Sequence, residues 1–208
     1  MNKQEIKKIF EKMGAVISDS HIVYTSDKHG SAYINKDAVY TNTHEISKLC
    51  KEIATHFANT GVEAVVAPAL GGIILSQWTA YHLSEITGKE IISVYAEKTE
   101  DKNFVIKRGY DKLIQGKKVL LLEDVLTTGG SLKKVVEIVK NIGSPIVGAG
   151  VLCNRGGISA PELGVPEVFS LLEINLQAWE ETDCPLCKQN IPINTNVGKG
   201  REYLANKK

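Results

Sequence analysis

Two acids and a hydroxyl loop stand close together in Val119-Leu120-Leu121-Leu122-Glu123-Asp124-Val125-Leu126-Thr127-Thr128-Gly129-Gly130-Ser131. Glycines let backbone N–H groups approach an anion closely, and the hydroxyls of Thr127, Thr128 and Ser131 add donors, so residues 127–131 suit a phosphate. Glu123 and Asp124 would repel that phosphate, which implies that they face another part of the same ligand. Ribose hydroxyls, which donate hydrogen bonds to carboxylates, fit that part.

The flanking residues say how such a loop is held. Val119 to Leu122 is apolar without alternation, as in a strand covered on both faces, and the strand is expected to end at the acids. Leu132, Val135, Val136, Val139 and Ile142 recur at spacings of three and four on a helix closed by Gly143 and Pro145. The acids and the loop therefore sit at a strand's carboxyl end and a helix's amino end, where open parallel sheets bind ligands. An ordinary strand–turn–helix capped by Ser131 is the plain alternative. A Walker A loop is excluded because no Lys precedes the last hydroxyl, and Gly148-Ala149-Gly150 lies inside an apolar run.

An apolar strand, two acids and a Thr/Gly/Ser loop resemble the phosphoribosyl-pyrophosphate (PRPP) motif of the type I phosphoribosyltransferases. A second glycine junction, Pro68-Ala69-Leu70-Gly71-Gly72, follows the short apolar strand Ala64–Ala67. By the resemblance Ala69, Leu70, Gly71 and Gly72 are the pyrophosphate loop; some members carry Lys in it, and this chain has none. Lys28-His29-Gly30-Ser31-Ala32-Tyr33-Ile34 reads either as a plain surface hairpin or, by its likeness to orotate phosphoribosyltransferases, as the first element of a base pocket. That likeness gives Lys28, Tyr33 and Ile34 to the base, together with Thr127 and with Arg155, which follows the strand from Ile146 to Leu152. A guanidinium there can grip a planar carboxylate with two parallel hydrogen bonds. His29 receives no role.

Glu97-Lys98-Thr99-Glu100-Asp101-Lys102-Asn103 is a charged, solvated loop in pattern. The resemblance makes it a flap over the pyrophosphate, with Lys98 and Lys102 catalytic beside Asp124. Many members have Arg-Lys-x-x-Lys-x-His-Gly there; this chain has Glu97-Lys98 and no His. Phe104 to Gly109 reads as a returning strand, with Lys107 and Arg108 as weaker candidates.

Alternating strands and helices imply an α/β doubly wound, mostly parallel sheet of the type I phosphoribosyltransferase kind. One domain over 1–208 is expected, with a core from Ser18 to Leu172, a tail over 173–208, and a small hood formed by the N-terminal and C-terminal segments. Thr43 to Ala58 reads as a helix capped by Thr43. With 25 Lys+Arg against 24 Asp+Glu, nothing in the overall charge calls for nucleic acid or an anionic membrane. Residues 2–13 lack a signal-peptide core and no apolar run is long enough to cross a bilayer, so a cytoplasmic protein is expected.

Cys50 and Cys153 fall in apolar patterns and read as buried thiols. Cys184-Pro185-Leu186-Cys187 has the spacing of half a zinc knuckle, but no two further ligands lie near it in sequence, so no protein-bound metal is expected. The resemblance implies that PRPP and orotate give orotidine 5′-monophosphate and pyrophosphate, with Mg²⁺ as cofactor and a homodimer as the working form. Three alternatives stay open: a purine or other-base transferase, a PRPP- or nucleotide-sensing RNA-binding regulator, and a zinc-stabilised interaction module.

Overall fold

The computed structural model describes residues 1–24, 26–35, 37–174 and 177–207. In chain order come α1 (Lys3–Lys12), β1 (Val16–Ile17), β2 (Ile22–Val23), β3 (His29–Gly30), β4 (Tyr33–Ile34), α2 (Asp37–Tyr40) and α3 (Thr43–Phe57). Next are β5 (Ala64–Pro68), α4 (Gly71–Thr87), β6 (Ile92–Lys98), β7 (Phe104–Val105), α5 (Tyr110–Ile114), β8 (Val119–Leu126) and α6 (Gly130–Asn141). The chain continues through β9 (Ile146–Asn154), α7 (Ala160–Leu163), β10 (Val168–Glu173), β11 (Ala178–Trp179), α8 (Pro185–Lys188) and α9 (Gly200–Asn206). These elements fall into two compact units, Met1–Ile6 with Asn42–Ile174, and Lys7–Thr41 with Asn175–Lys208. Residues 18–41, assigned to the core from sequence, belong to the second unit.

The first unit is built on a six-stranded sheet in the order β10-β9-β8-β5-β6-β7, parallel throughout except for β7, which returns antiparallel along β6. Its inner strands are buried on both faces, which is why they read as continuous apolar runs. From β5 the chain winds outward to β6, then crosses back to β8 and outward through β9 and β10. The order reverses between β5 and β8, so the loops leaving those two strands flank the switch point of the sheet.

One face of the sheet packs Val66, Leu121 and Val151 with Leu132, Val135, Val136 and Val139 of α6. α3 buries Ile46, Leu49, Cys50, Ile53 and Phe57, the stripe expected of an amphipathic helix. Its cap is Asn42 and not Thr43: the Asn42 backbone is extended and its Oδ1 accepts the Glu45 N–H at 3.2 Å. The glycines of Gly148-Ala149-Gly150 admit this helix, since a Cβ at 148 would meet Phe57 at 2.6 Å and one at 150 would meet Ile53 at 2.4 Å. Cys50 and Cys153 are both fully buried.

β8 does not end at the acids. Its ladder with β9 continues through Glu123↔Val151 and Leu126↔Asn154, so Glu123 and Asp124 lie within the last turns of a paired strand. The continued pairing with β9 holds their backbone in place.

The second unit contains the antiparallel sheet β11-β3-β2 and the separate antiparallel pair β1-β4. Ile22 and Val23 are fully buried in it. Gly30 has no room for a side chain, because a Cβ would stand 2.1 Å from the Tyr24 hydroxyl.

Candidate functional site

The site grows from the two loops at the switch point. After β5, the Ala69 N–H donates to the Ala96 carbonyl at 2.8 Å and α4 begins at once. A Cβ at Gly72 would lie 2.6 Å from the Ala67 Cβ, so the first turn of α4 sits directly on the strand and only glycine allows it. Leu70 is 83% exposed.

Within β8, Glu123 and Asp124 are buried, at 8% and 5% exposure. Asp124 Oδ1 accepts the Val125 N–H at 2.7 Å and Glu123 Oε1 accepts the Asp124 N–H at 3.1 Å, which orients both carboxylates. Thr127, Thr128, Gly130 and Ser131 are exposed at the amino end of the twelve-residue α6. Gly129 takes the capping position in the left-handed region, φ 71°, and of the loop hydroxyls Thr128 accepts the Gly130 N–H at 3.4 Å. The plain alternative, a capping Ser131, does not hold.

Arg155 joins this loop through its backbone. The N–H groups of Arg155 and Gly156 both donate to the Leu126 carbonyl, at 2.8 and 3.0 Å. Asn154 closes the turn beyond them, donating through Nδ2 to Ile158 O at 2.9 Å and accepting the Ile158 N–H at 3.0 Å. Nothing in the sequence marked Asn154 beyond its place at a strand end.

Lys98 ends β6 and lines a cavity of about 550 Å³ with Ala69, Leu70, Ile73, Tyr95, Glu97 and Arg108. The glycine loop and its candidate cation therefore share one pocket. Arg108 reaches it because Glu97 holds the guanidinium, Nε to Oε1 at 2.8 Å, with Lys107 Nζ farther off at 3.9 Å. Lys102 is not among the residues lining this pocket; its side chain is exposed and its carbonyl accepts from Lys134 Nζ at 2.7 Å.

The loop between β6 and β7 is more ordered than its charge suggests. The Thr99 N–H donates to Asn103 O at 2.9 Å and the Lys102 N–H to Thr99 O at 3.0 Å. Asp101 accepts from the Thr99 hydroxyl and from Asn103 Nδ2, and these hydrogen bonds lower its carboxyl pKa.

In the second unit, Lys28 Nζ lies 3.0 Å from a Glu180 carboxylate oxygen. Tyr33 is half-buried opposite Ile17, while Ile34 is buried opposite Val16. His29 is not a turn residue: it is fully buried on β3, beside His21, Cys184 and Cys187. The two cysteines, which have no further candidate ligands near them in sequence, stand beside two histidines in the fold. Strand pairing brings to them two imidazoles about 160 positions away, which neighbourhood in sequence cannot reveal.

A doubly wound sheet with an acid pair, a hydroxyl loop and a glycine loop at its switch point defines a phosphoribosyl transferase domain, and residues 36–182 match the family model of that description. The chain is 39% identical over 192 residues to the orotate phosphoribosyltransferase of Desulforamulus reducens, covering 92% of this chain and 95% of that one. It belongs to the orotate phosphoribosyltransferase family. The solved orotate phosphoribosyltransferase of Francisella tularensis shares its fold at a TM-score of 0.60 and 18% identity, covering 98% of both chains. The adenine phosphoribosyltransferase of Saccharomyces cerevisiae does so at 0.61 and 19%, over 82% of this chain and 98% of that one. The fold alone therefore does not select the base. No described helix is long and apolar enough to cross a membrane.

Proposed function

We propose that this chain transfers the 5-phosphoribosyl group of PRPP to orotate, giving orotidine 5′-monophosphate and pyrophosphate. The observation that carries the reading is the pairing of two anion loops across the β5/β8 switch point, one beside the buried Glu123–Asp124 pair and the other in one pocket with Lys98. Displacement at the anomeric carbon leaves positive charge on the sugar ring and negative charge on the departing pyrophosphate, so positioning and electrostatics carry the catalysis. Thr127, Thr128, Gly129, Gly130 and Ser131 bind the 5′-phosphate. Glu123 and Asp124 hold the ribose hydroxyls, and Asp124 favours the cationic ring.

The backbone of Ala69, Leu70, Gly71 and Gly72 binds the pyrophosphate, with Lys98 as its cation and Lys102 in a lesser role. Arg108 joins them on the strength of its place in the pocket. Arg155 reads the orotate carboxylate, with Thr127 beside it, and the family likeness assigns Lys28, Tyr33 and Ile34 to the base. The carboxylates of Glu123 and Asp124 are hard oxygen donors suited to Mg²⁺, which when bound neutralises charge on the pyrophosphate.

The reading includes a cytoplasmic homodimer without nucleic-acid partners. The exposed Ile74 and Tyr81, seven apart on one face of α4, support self-association. A monomer by light scattering at assay concentration would contradict it.

The test is the loss of orotate absorbance on adding the protein, PRPP and Mg²⁺, with uracil, hypoxanthine and adenine run in parallel. Turnover with orotate alone supports the reading. Turnover with another base keeps the PRPP site and discards the base assignment, and PRPP binding without turnover on any base overturns the enzymatic reading.

A further inference from the structure

The second unit holds a side-chain cluster that the proposed reaction leaves unused. His21 precedes β2, His29 lies on β3, and Cys184 and Cys187 belong to the tight turn of α8; one ligand atom from each falls within 4.8 Å of the others. His21 Nε2 is 2.8 Å from His29 Nδ1 and 3.7 and 3.6 Å from the sulfurs of Cys184 and Cys187. Cys187 Sγ is 3.3 Å from His29 Nδ1. A tetrahedral zinc site with ordinary bond lengths has N···S edges of about 3.5 Å and an N···N edge of about 3.4 Å. The nitrogen–sulfur separations meet that geometry, and the nitrogen pair is tighter by roughly half an ångström.

The protons are placed for the same purpose. Ile191 O, which can only accept, lies 2.7 Å from His21 Nδ1, so that nitrogen carries the proton and Nε2 turns its lone pair to the cluster. A hydrogen bond from His29 Nδ1 to His21 would use only the two imidazoles. His29 Nε2, buried and without a hydrogen-bond partner among the described residues, stays unpaired in either arrangement, as an acceptor in that one and as an N–H when Nδ1 holds a cation. One cation uses all four donors at once.

The surroundings are built to hold the donors. His21, His29 and Cys184 are at most 2% exposed, and neither cysteine is in a disulfide. The Asn194 N–H donates to His21 O at 2.7 Å, and β11 and β2 flank β3. The Lys188 and Asn190 N–H groups donate to the carbonyls of Cys184 and Cys187, forming the knuckle.

We propose that His21, His29, Cys184 and Cys187 bind one Zn²⁺, which fastens the carboxyl-terminal knuckle to the amino-terminal hairpin. Binding releases both thiol protons and leaves two thiolates and two neutral imidazoles around the ion. Two sulfur and two nitrogen donors in a tetrahedron select zinc over the oxygen-seeking Mg²⁺. Four protein ligands fill the coordination sphere, so the site is structural and separate from the transfer chemistry. A unit this small gains most from such a staple.

The test uses the full chain, reconstituted with zinc under reducing conditions and freed of loose metal by gel filtration. Elemental analysis is expected to give about one zinc per chain, falling at least tenfold in Cys184→Ser/Cys187→Ser. Because that variant could fail to fold, the wild-type chain is also loaded with Co²⁺, where thiolate-to-cobalt charge-transfer bands and intense tetrahedral visible bands are expected. Less than about a tenth of an equivalent of zinc in the wild type, absence of the cobalt thiolate bands, or full zinc retention in the folded double variant overturns the site. None of these readouts depends on orotate turnover.

Discussion

Gly156→Ala tests how the Arg155 turn is coupled to the proposed phosphate loop. A Cβ at position 156 would stand 1.8 Å from the Thr127 carbonyl oxygen, where ordinary contact begins at 3.4 Å, so the two backbones must part by about 1.6 Å. A shift of that size breaks the hydrogen bonds from the Arg155 and Gly156 N–H groups to Leu126 O. At about 0.5–1.5 kcal/mol net for each bond, the stability cost is about 1–3 kcal/mol, and the melting temperature falls by several degrees. The larger effect is on turnover. Displacing positioned groups by about 1 Å costs on the order of 10²-fold, so kcat/KM for PRPP is expected to fall by about that factor.

The assay is steady-state orotate consumption at varied PRPP, with circular dichroism melts on the same samples. Gly157→Ala is the control: its φ of +62° adds strain, but nothing lies within 4 Å of the new methyl, so kcat/KM stays within about threefold. A folded Gly156→Ala protein with kcat/KM within about threefold of wild type would refute the coupling.

Asp124→Asn keeps the shape of a buried side chain and removes its charge, so kcat is expected to fall on the order of 10²-fold with the fold retained; an unchanged rate removes the role given to Asp124. Lys98→Ala alters an exposed side chain, so unfolding free energy should stay within about 0.5 kcal/mol while turnover drops on the order of 10²-fold, read by parallel melts and kinetics. Burial pushes the thiols of Cys50 and Cys153 from 9.0 up to about 12. Between those values the unfolded chain has lost protons that the folded chain keeps, so stability present below pH 9 is lost as pH rises toward 12. Denaturant melts should follow that fall, and both thiols of the native chain should resist iodoacetamide at pH 8.

The hydroxyl loop was legible because its parts are neighbours in sequence. Acids, hydroxyls and glycines fall within one strand–loop–helix, and strands buried on both faces declare themselves as unbroken apolar runs. Boundaries were less legible. Asn42 displaced Thr43 as the cap of α3 by one residue, and β8 ran past the acids because β9 continued to pair with it. Arg108 was a minor candidate until Glu97 was seen to hold it in the cavity that Lys98 lines.

By itself, then, the sequence determined which residues could bind a phosphate and a diol, and that a doubly wound sheet would present them at its carboxyl edge. Local chemistry and periodicity suffice for that. Only the tertiary structure decided which distant residues meet. It put the β5 and β8 loops on either side of one switch point, set the Arg155 turn against Thr127, and drew His21 and His29 to Cys184 and Cys187. The physical reason is that strand pairing joins positions by register, not by spacing along the chain, so a half-motif such as Cys184–Cys187 is completed by residues that no reading of its own neighbourhood could supply.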